Sequence, residues 1–325
     1  MHDLDVVGIG NALVDVITHE TDAFLAEQHL VKGSMTLIDT DRAVHLYDAM
    51  GSGLEMSGGS AANTMTGIAS FGGSAAYIGK VADDQLGEVF GHDLRAVGVG
   101  FRNPPSAVGV PTGRCLIVVT PDAQRTMNTY LGVSALLGPE DVDDDLVARA
   151  KVVYLEGYLW DRPEAKEAYR KAATVAHDAG GKVSLTLSDS FCVERHRTDF
   201  FELVEHQVDI LFANEHELQA LYQVDDFDDA LQGVRGHCEI AAITRGKAGS
   251  VIVSGSELHV IDAHPVEAVV DTTGAGDLYA SGFLYGYTHG EALADCGRLG
   301  SLAAAEVIAH VGARPLVELR RLAGL

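Results

Sequence analysis

The sequence predicts an α/β fold built on a mainly parallel central sheet with helices on both faces. Three observations predict it. From about residue 150 onward, short apolar runs alternate with segments of helical length, the pattern of a parallel sheet covered on both sides. The chain opens on LDVVGIG (residues 4–10), a buried strand ending in a glycine turn. Its 325 residues, 47% of them hydrophobic, suffice for one large domain with a small appendage.

Asn11 and Asp15 follow the first strand, and short β-like runs come after them, with 35–38 (MTLI) the clearest. Residues 60–71 read as a helix opened by Gly58-Gly59 and closed by Gly72-Gly73. Residues 75–78 read as a strand, and 85–97 as an amphipathic helix with Leu86, Val89, Phe90 and Leu94 on one face. Two strands, 113–120 and 125–131, flank the polar turn 121–124. The regular half then gives strands at 152–155, 183–187, 209–212 and 240–243, with helices at 163–179, 198–206, 215–223 and 226–235. An antiparallel hairpin (250–253, 257–261) and helices at 276–288 and 291–309 complete the chain. Loops at Asn11, Asn214, Thr244 and Asp271 all follow predicted strands. In such sheets ligands gather beyond the carboxyl ends of the strands.

The 47 acidic residues against 23 Lys and Arg give a formal charge of −24, a surface that repels nucleic acid. The four cysteines lie far apart without a C-x-x-C pair, which points away from zinc and disulfides and toward a reducing cytoplasm. The N-terminus lacks the pattern of a secretion signal, and no apolar run reaches the roughly 20 residues that span a bilayer. A soluble cytoplasmic protein is the expectation.

The densest chemistry lies in Asp271-Thr272-Thr273-Gly274-Ala275-Gly276-Asp277, running into LYASGF. Small residues at a helix start expose unpaired N–H groups and a partial positive charge, a seat for phosphate. Gly274 and Gly276 admit close backbone approach, and Asp277 stands where it can take a proton from an attacking hydroxyl. Phosphoryl transfer to an alcohol uses such parts. No Walker A loop is present, and Leu13 replaces the third glycine of a dinucleotide fingerprint.

Five segments together resemble the PfkB/ribokinase family of sugar and nucleoside kinases. They are GIGNALVD (8–15), GGSAANT (58–64), NEHE (214–217), TRGKAG (244–249) and DTTGAGD (271–277), spread over residues 4 to about 315. The resemblance implies a ribokinase-like fold with ATP as co-substrate and Mg²⁺ as cofactor. It implies that Asp277 is the catalytic base and that the N–H groups of Gly274, Ala275 and Gly276 form an anion hole. By the same resemblance Asn11, Asp15, Gly58, Gly59 and Asn63 contact the acceptor, while Asn214, Thr244, Gly246 and Gly249 contact the nucleotide. Glu217 would organise Mg²⁺ through water. Asp271 and Thr273, with carbonyls near 308–312, match the place where some relatives bind a monovalent cation such as K⁺. Arg245 and His310 are left without a role.

The family's division implies a large domain of residues 1–14, 51–103 and 133–325, and a small β-rich lid of 15–50 and 104–132 over the acceptor. The segment LSDSF (187–191) is similar to the L-S-x-P-F of adenosine kinases, and GNALVD to their G-N-P-L-L-D. This favours a nucleoside acceptor, adenosine at its 5′ hydroxyl. The alternatives are a sugar kinase for ribose or fructose and a nucleoside-binding module without chemistry. A monomer and a lid-mediated homodimer both fit.

Overall fold

The computed structural model describes residues 2–122 and 124–325; Met1, and Ala123 in the turn expected at 121–124, lie outside them. The large sheet has nine strands, in the order Glu257–Ile261, Ser250–Ser254, Ile240–Thr244, Ile210–Asn214, Lys182–Thr186, Ala150–Glu156, Leu4–Ile9, Ala75–Ile78 and Gly100–Phe101. Ser250–Ser254 runs antiparallel to both its neighbours, giving the expected hairpin, and the remaining pairs are parallel.

Alternation along each strand feeds two cores. Val153 and Leu155 pack with helix Pro163–Asp178, whereas Val152 and Tyr154 pack toward Phe283 of helix Ala275–Thr288. Every one of these side chains is removed from water, which is the main favourable term in the fold. From Leu4–Ile9 the sheet grows toward both edges. The carboxyl ends of this strand and of Ala150–Glu156 therefore open the crevice where such sheets bind ligands.

The small sheet has five strands, ordered Met35–Leu37, Arg125–Tyr130, Gly113–Val119, Leu13–His19 and Leu54–Gly58. It takes in Leu54–Gly58 and begins at Leu13. Two helices, Asp22–Glu27 and Thr40–Ala49, lie within the stretch that reads as β-like runs. Thr21 and Asp39 cap them by accepting the N–H of Phe24 and Arg42. Leu46 of the second helix packs on Val16 and Leu116 on one face of the sheet. The opposite face carries Ile17, Cys115 and Ile117, flanked by Met127.

Helix Ser190–His206 begins well before residue 198, because Asp189 caps it by accepting the N–H of Cys192 at 2.6 Å. His196, at φ −123° and ψ 23°, kinks it. Among the described residues no helix is long and apolar enough to cross a membrane.

Phe200, beyond the kink, is fully buried and stacks on Trp160, the only tryptophan of the chain, at 5.5 Å between ring centres. Phe200→Ala is expected to cost about 3–5 kcal/mol of stability, measured as a lowered urea midpoint followed through Trp160 fluorescence.

Candidate active site

A cavity of about 900 Å³ lies between the two sheets. Its floor is the set of strand ends Asn11, Glu156, Thr186, Asn214 and Thr244, and its roof is the apolar face of the small sheet. The segment from Thr272 to Asp277 closes one side. Convergence of loops that follow separate parallel strands is thus observed.

Asp277 lies in the first turn of helix Ala275–Thr288, half-buried at the cavity wall. Its Oδ1 accepts the Ser60 hydroxyl at 2.6 Å, and its Oδ2 accepts Asn63 Nδ2 at 3.0 Å. Burial raises its pKa above the usual carboxylate value, opposed by those two donors. Each oxygen retains a lone pair for a substrate hydroxyl.

Gly274 starts the helix at φ 77°, a left-handed conformation, and a side chain there would run into Ala313 at 2.8 Å. Of the three amides expected to form an anion hole, that of Ala275 is engaged by the Thr272 carbonyl at 3.2 Å. Among the described residues, the N–H groups of Gly274, Gly276 and Asp277 have no backbone acceptor. Gly276 is exposed to the cavity, with no atom within 4 Å of where a Cβ would stand.

Asp15, on Leu13–His19, turns its carboxylate into the cavity without a hydrogen-bond partner among the described residues. Burial pushes its pKa up to about 6, with Arg125 and Arg314 opposing and Asp277 reinforcing. Gly58 leaves room for it, since a Cβ there would sit 2.6 Å from the Asp15 carboxylate. Gly59, at φ 93°, brings its backbone against the Asn11 carbonyl.

Asn11 lines the cavity, but its side chain is held from within. Its Nδ2 donates to Glu156 Oε1 at 2.9 Å, and its Oδ1 accepts the Ser134 hydroxyl at 3.0 Å. Glu156 also accepts the N–H of Asn11 at 3.2 Å and of Ala61 at 2.9 Å. It is only 1% exposed, and burial pushes its pKa up to about 7 against those donors.

At the cavity wall Asn214 and Glu217, expected to face nucleotide and Mg²⁺, form a reciprocal helix cap. Asn214 donates its N–H and Nδ2 to the two Glu217 oxygens at 2.9 and 2.6 Å, and Glu217 returns its N–H to Asn214 Oδ1 at 2.9 Å. Burial raises the Glu217 pKa to about 7, opposed by the Asn214 N–H and reinforced by Asp189, with no opposing cation among the described residues. Thr244 and Gly246 line the cavity, and Gly249, at φ 81°, turns the chain against the Ile261 carbonyl. Arg245 stacks on Phe227 at 4.1 Å, and His310 pairs with Glu306 at 3.2 Å; neither lines the cavity.

Asp271 and Thr273 are met by an arginine. Arg125 Nη1, reaching over from the small sheet, donates to Asp271 Oδ2 and to Thr273 Oγ1. Asp271 also accepts the N–H of Gly312 and of Thr273, both at 3.0 Å, while the Ile308 carbonyl accepts the N–H of Val270 at 2.8 Å. Against its burial these donors hold the Asp271 pKa below the ordinary value. The groups expected around a monovalent cation are here engaged by protein donors.

Ser60, Arg125, Glu156 and Arg314 were not singled out from the sequence. Ser60 carried a signal, lying inside the quoted GGSAANT. Glu156 carried another, an acid ending an apolar strand. The two arginines carried none, because their partners are distant in the chain.

Residues 31–319 match the pfkB family carbohydrate kinase domain. The chain belongs to this family. The PfkB fold is shared with a solved adenosine kinase from Sinorhizobium meliloti, 55% identical, with a TM-score of 0.92 over 99% of this chain and 98% of that one. A solved probable sugar kinase from Rhizobium etli CFN 42 is 52% identical, with a TM-score of 0.93 over 100% and 98%. An adenosine kinase of Saccharomyces cerevisiae is 27% identical over 94% of this chain and 95% of its own. This PfkB member is therefore a phosphotransferase acting on a hydroxyl group of a sugar or nucleoside, which sets aside the reading as a non-catalytic module.

Glu156 gives a pH signature. With a folded pKa near 7 and an unfolded value near 4.5, the folded state holds more protons between these limits. Stability accordingly falls as pH rises from about 4.5 to 7, by at most about 1.4 kcal/mol per unit from this group. Glu156→Gln is expected to flatten that slope in urea unfolding measured from pH 4.5 to 7.5.

Proposed function

We propose that this PfkB kinase transfers the γ-phosphoryl group of ATP to the 5′ hydroxyl of a nucleoside, adenosine in the first place. The observation that carries the reading is the roof of the cavity. Leu13, Met35, Leu37, Cys115, Ile117 and Met127 line it from the small sheet, an apolar wall suited to the face of a purine. A bare sugar would leave that surface against water. The likeness to the adenosine kinase of Sinorhizobium meliloti supports the same choice.

In this reading Asp15 and Asn63 receive the ribose hydroxyls, and Asn11 shapes the floor. Asp277 takes the proton of the attacking hydroxyl as its oxygen bonds to the γ-phosphorus and the bond to the bridging oxygen breaks, releasing ADP. The free N–H groups of Gly274 and Gly276, aided by that of Asp277, receive the charge on the transferred group. The small sheet keeps water, a competing acceptor, out.

The residues fit Mg²⁺. Glu217 and Asp189 line the nucleotide side, and Glu217 is a buried acid that no cation offsets. Its oxygens already accept from Asn214, so it would hold the ion through water, as Mg²⁺ favours. When bound, Mg²⁺ neutralises charge on the phosphates.

A specific observation favours a second reading, a sugar kinase. A probable fructokinase of Arabidopsis thaliana is 28% identical over 76% of this chain, alongside the Rhizobium etli structure. ADP release measured with adenosine, other nucleosides, ribose and fructose separates the two. Turnover is expected with adenosine, and turnover with fructose or ribose alone overturns the nucleoside reading. Asp277→Asn should lower kcat by about 10²–10⁴-fold while ATP still binds.

A further inference from the structure

Three consecutive residues beyond helix Leu293–Ile308 meet the site from behind. The Gly312 N–H donates to Asp271 at 3.0 Å, and Ala313 abuts Gly274. Arg314 Nε donates to Oδ1 of Asn63 at 3.2 Å. Arg314 is not among the residues that line the cavity; it meets the site by its hydrogen bond to Asn63 and by its charge near Asp15.

The amide of Asn63 has two ends of the same shape and opposite polarity. Its Nδ2 gives Asp277 a hydrogen bond at 3.0 Å, whereas the reversed amide would set oxygen against a carboxylate. An arginine N–H donates and never accepts, so it pairs with the Oδ1 end alone. Its fork is itself fixed, because Nη1 donates to Ser57 Oγ at 2.5 Å. Ser57 in turn gives both its N–H and its hydroxyl to Asp93, at 2.9 and 3.2 Å. The remaining Nη2 is buried without a partner among the described residues, which is a cost retained for the sake of the other contacts.

We propose that Arg314 is a positioning residue that sets the polarity of Asn63 and so keeps a donor on the proton-accepting carboxylate of Asp277. The proposal rests on the reading of Asp277 as the base. Loss of the guanidinium frees the amide, removes a donor that favours the ionised carboxylate, and raises the pH at which Asp277 becomes competent. The other groups around Asp277 are Ser60 from helix Ser60–Ser70, Asp15 from the small sheet, and Glu156, Tyr154 and Tyr158 from the strand end. Arg125 and Arg314 face Asp15, where their charge favours ionisation.

The test is the pH profile of kcat with acceptor and ATP both saturating, so that the grip of Asp15 on the acceptor drops out. Arg314→Met is expected to move the acid limb upward by about one pH unit, the effect of losing one charge-assisted donor. The affinity for ATP should stay within about twofold of the parent, since that site does not touch Arg314. Should Arg314→Met fail to fold, Arg314→Lys carries the test, because an ammonium lacks the fixed fork and releases Asn63 in part; a smaller upward move is expected. An unmoved limb in a folded variant overturns the proposal. Asp277→Asn is assayed alongside: retained turnover there would remove the base reading itself, whereas lost turnover with an unmoved Arg314 limb removes only the role of Arg314.

Discussion

The two hydrogen bonds that Ser60 and Asn63 make to Asp277 join residues more than 200 positions apart, and the chemistry of the site depends on them. They exist because helix Ser60–Ser70 and helix Ala275–Thr288 approach closely. Gly67 faces Ser281 so tightly that an added Cβ would stand 2.3 Å from its hydroxyl. A larger residue at that contact would separate the helices and with them the acid from its donors. The position of Asp277 is thus set by packing about one helical turn away from it and from Asn63.

Around this pair the burial of acids follows one plan. Asp15, Glu156, Glu217 and Asp277 all line one cavity, and burial raises the pKa of each. Among the described residues, only Asp15 has guanidinium groups nearby to offset the effect. A protein that is already strongly acidic pays stability at neutral pH to hold them there, as active sites commonly do.

Much of this was legible in the chain. The regular alternation after residue 150 placed the strands of the large sheet to within a residue or two, since each strand is a short apolar run bounded by turns. The small sheet was less legible. Its helices Asp22–Glu27 and Thr40–Ala49 are short, and their identity rests on the caps Thr21 and Asp39 more than on periodicity. Within the site, residues inside glycine-rich segments could be found because those segments are distinctive. Arg314 and Arg125 could not: an arginine in a loop or at the start of a strand reads as solvated until its distant partner, Asn63 or Asp271, is in place.

The Arg125–Asp271 ion pair spans 146 positions and ties the small sheet above the cavity to the segment that leads into helix Ala275–Thr288. Both partners are nearly out of contact with solvent, so parting them leaves a desolvated charge on each side. The roof and the loop that starts the helix therefore behave as one mechanical piece while the pair is intact. Whatever displaces the guanidinium from Asp271 frees both ends of the cavity at once.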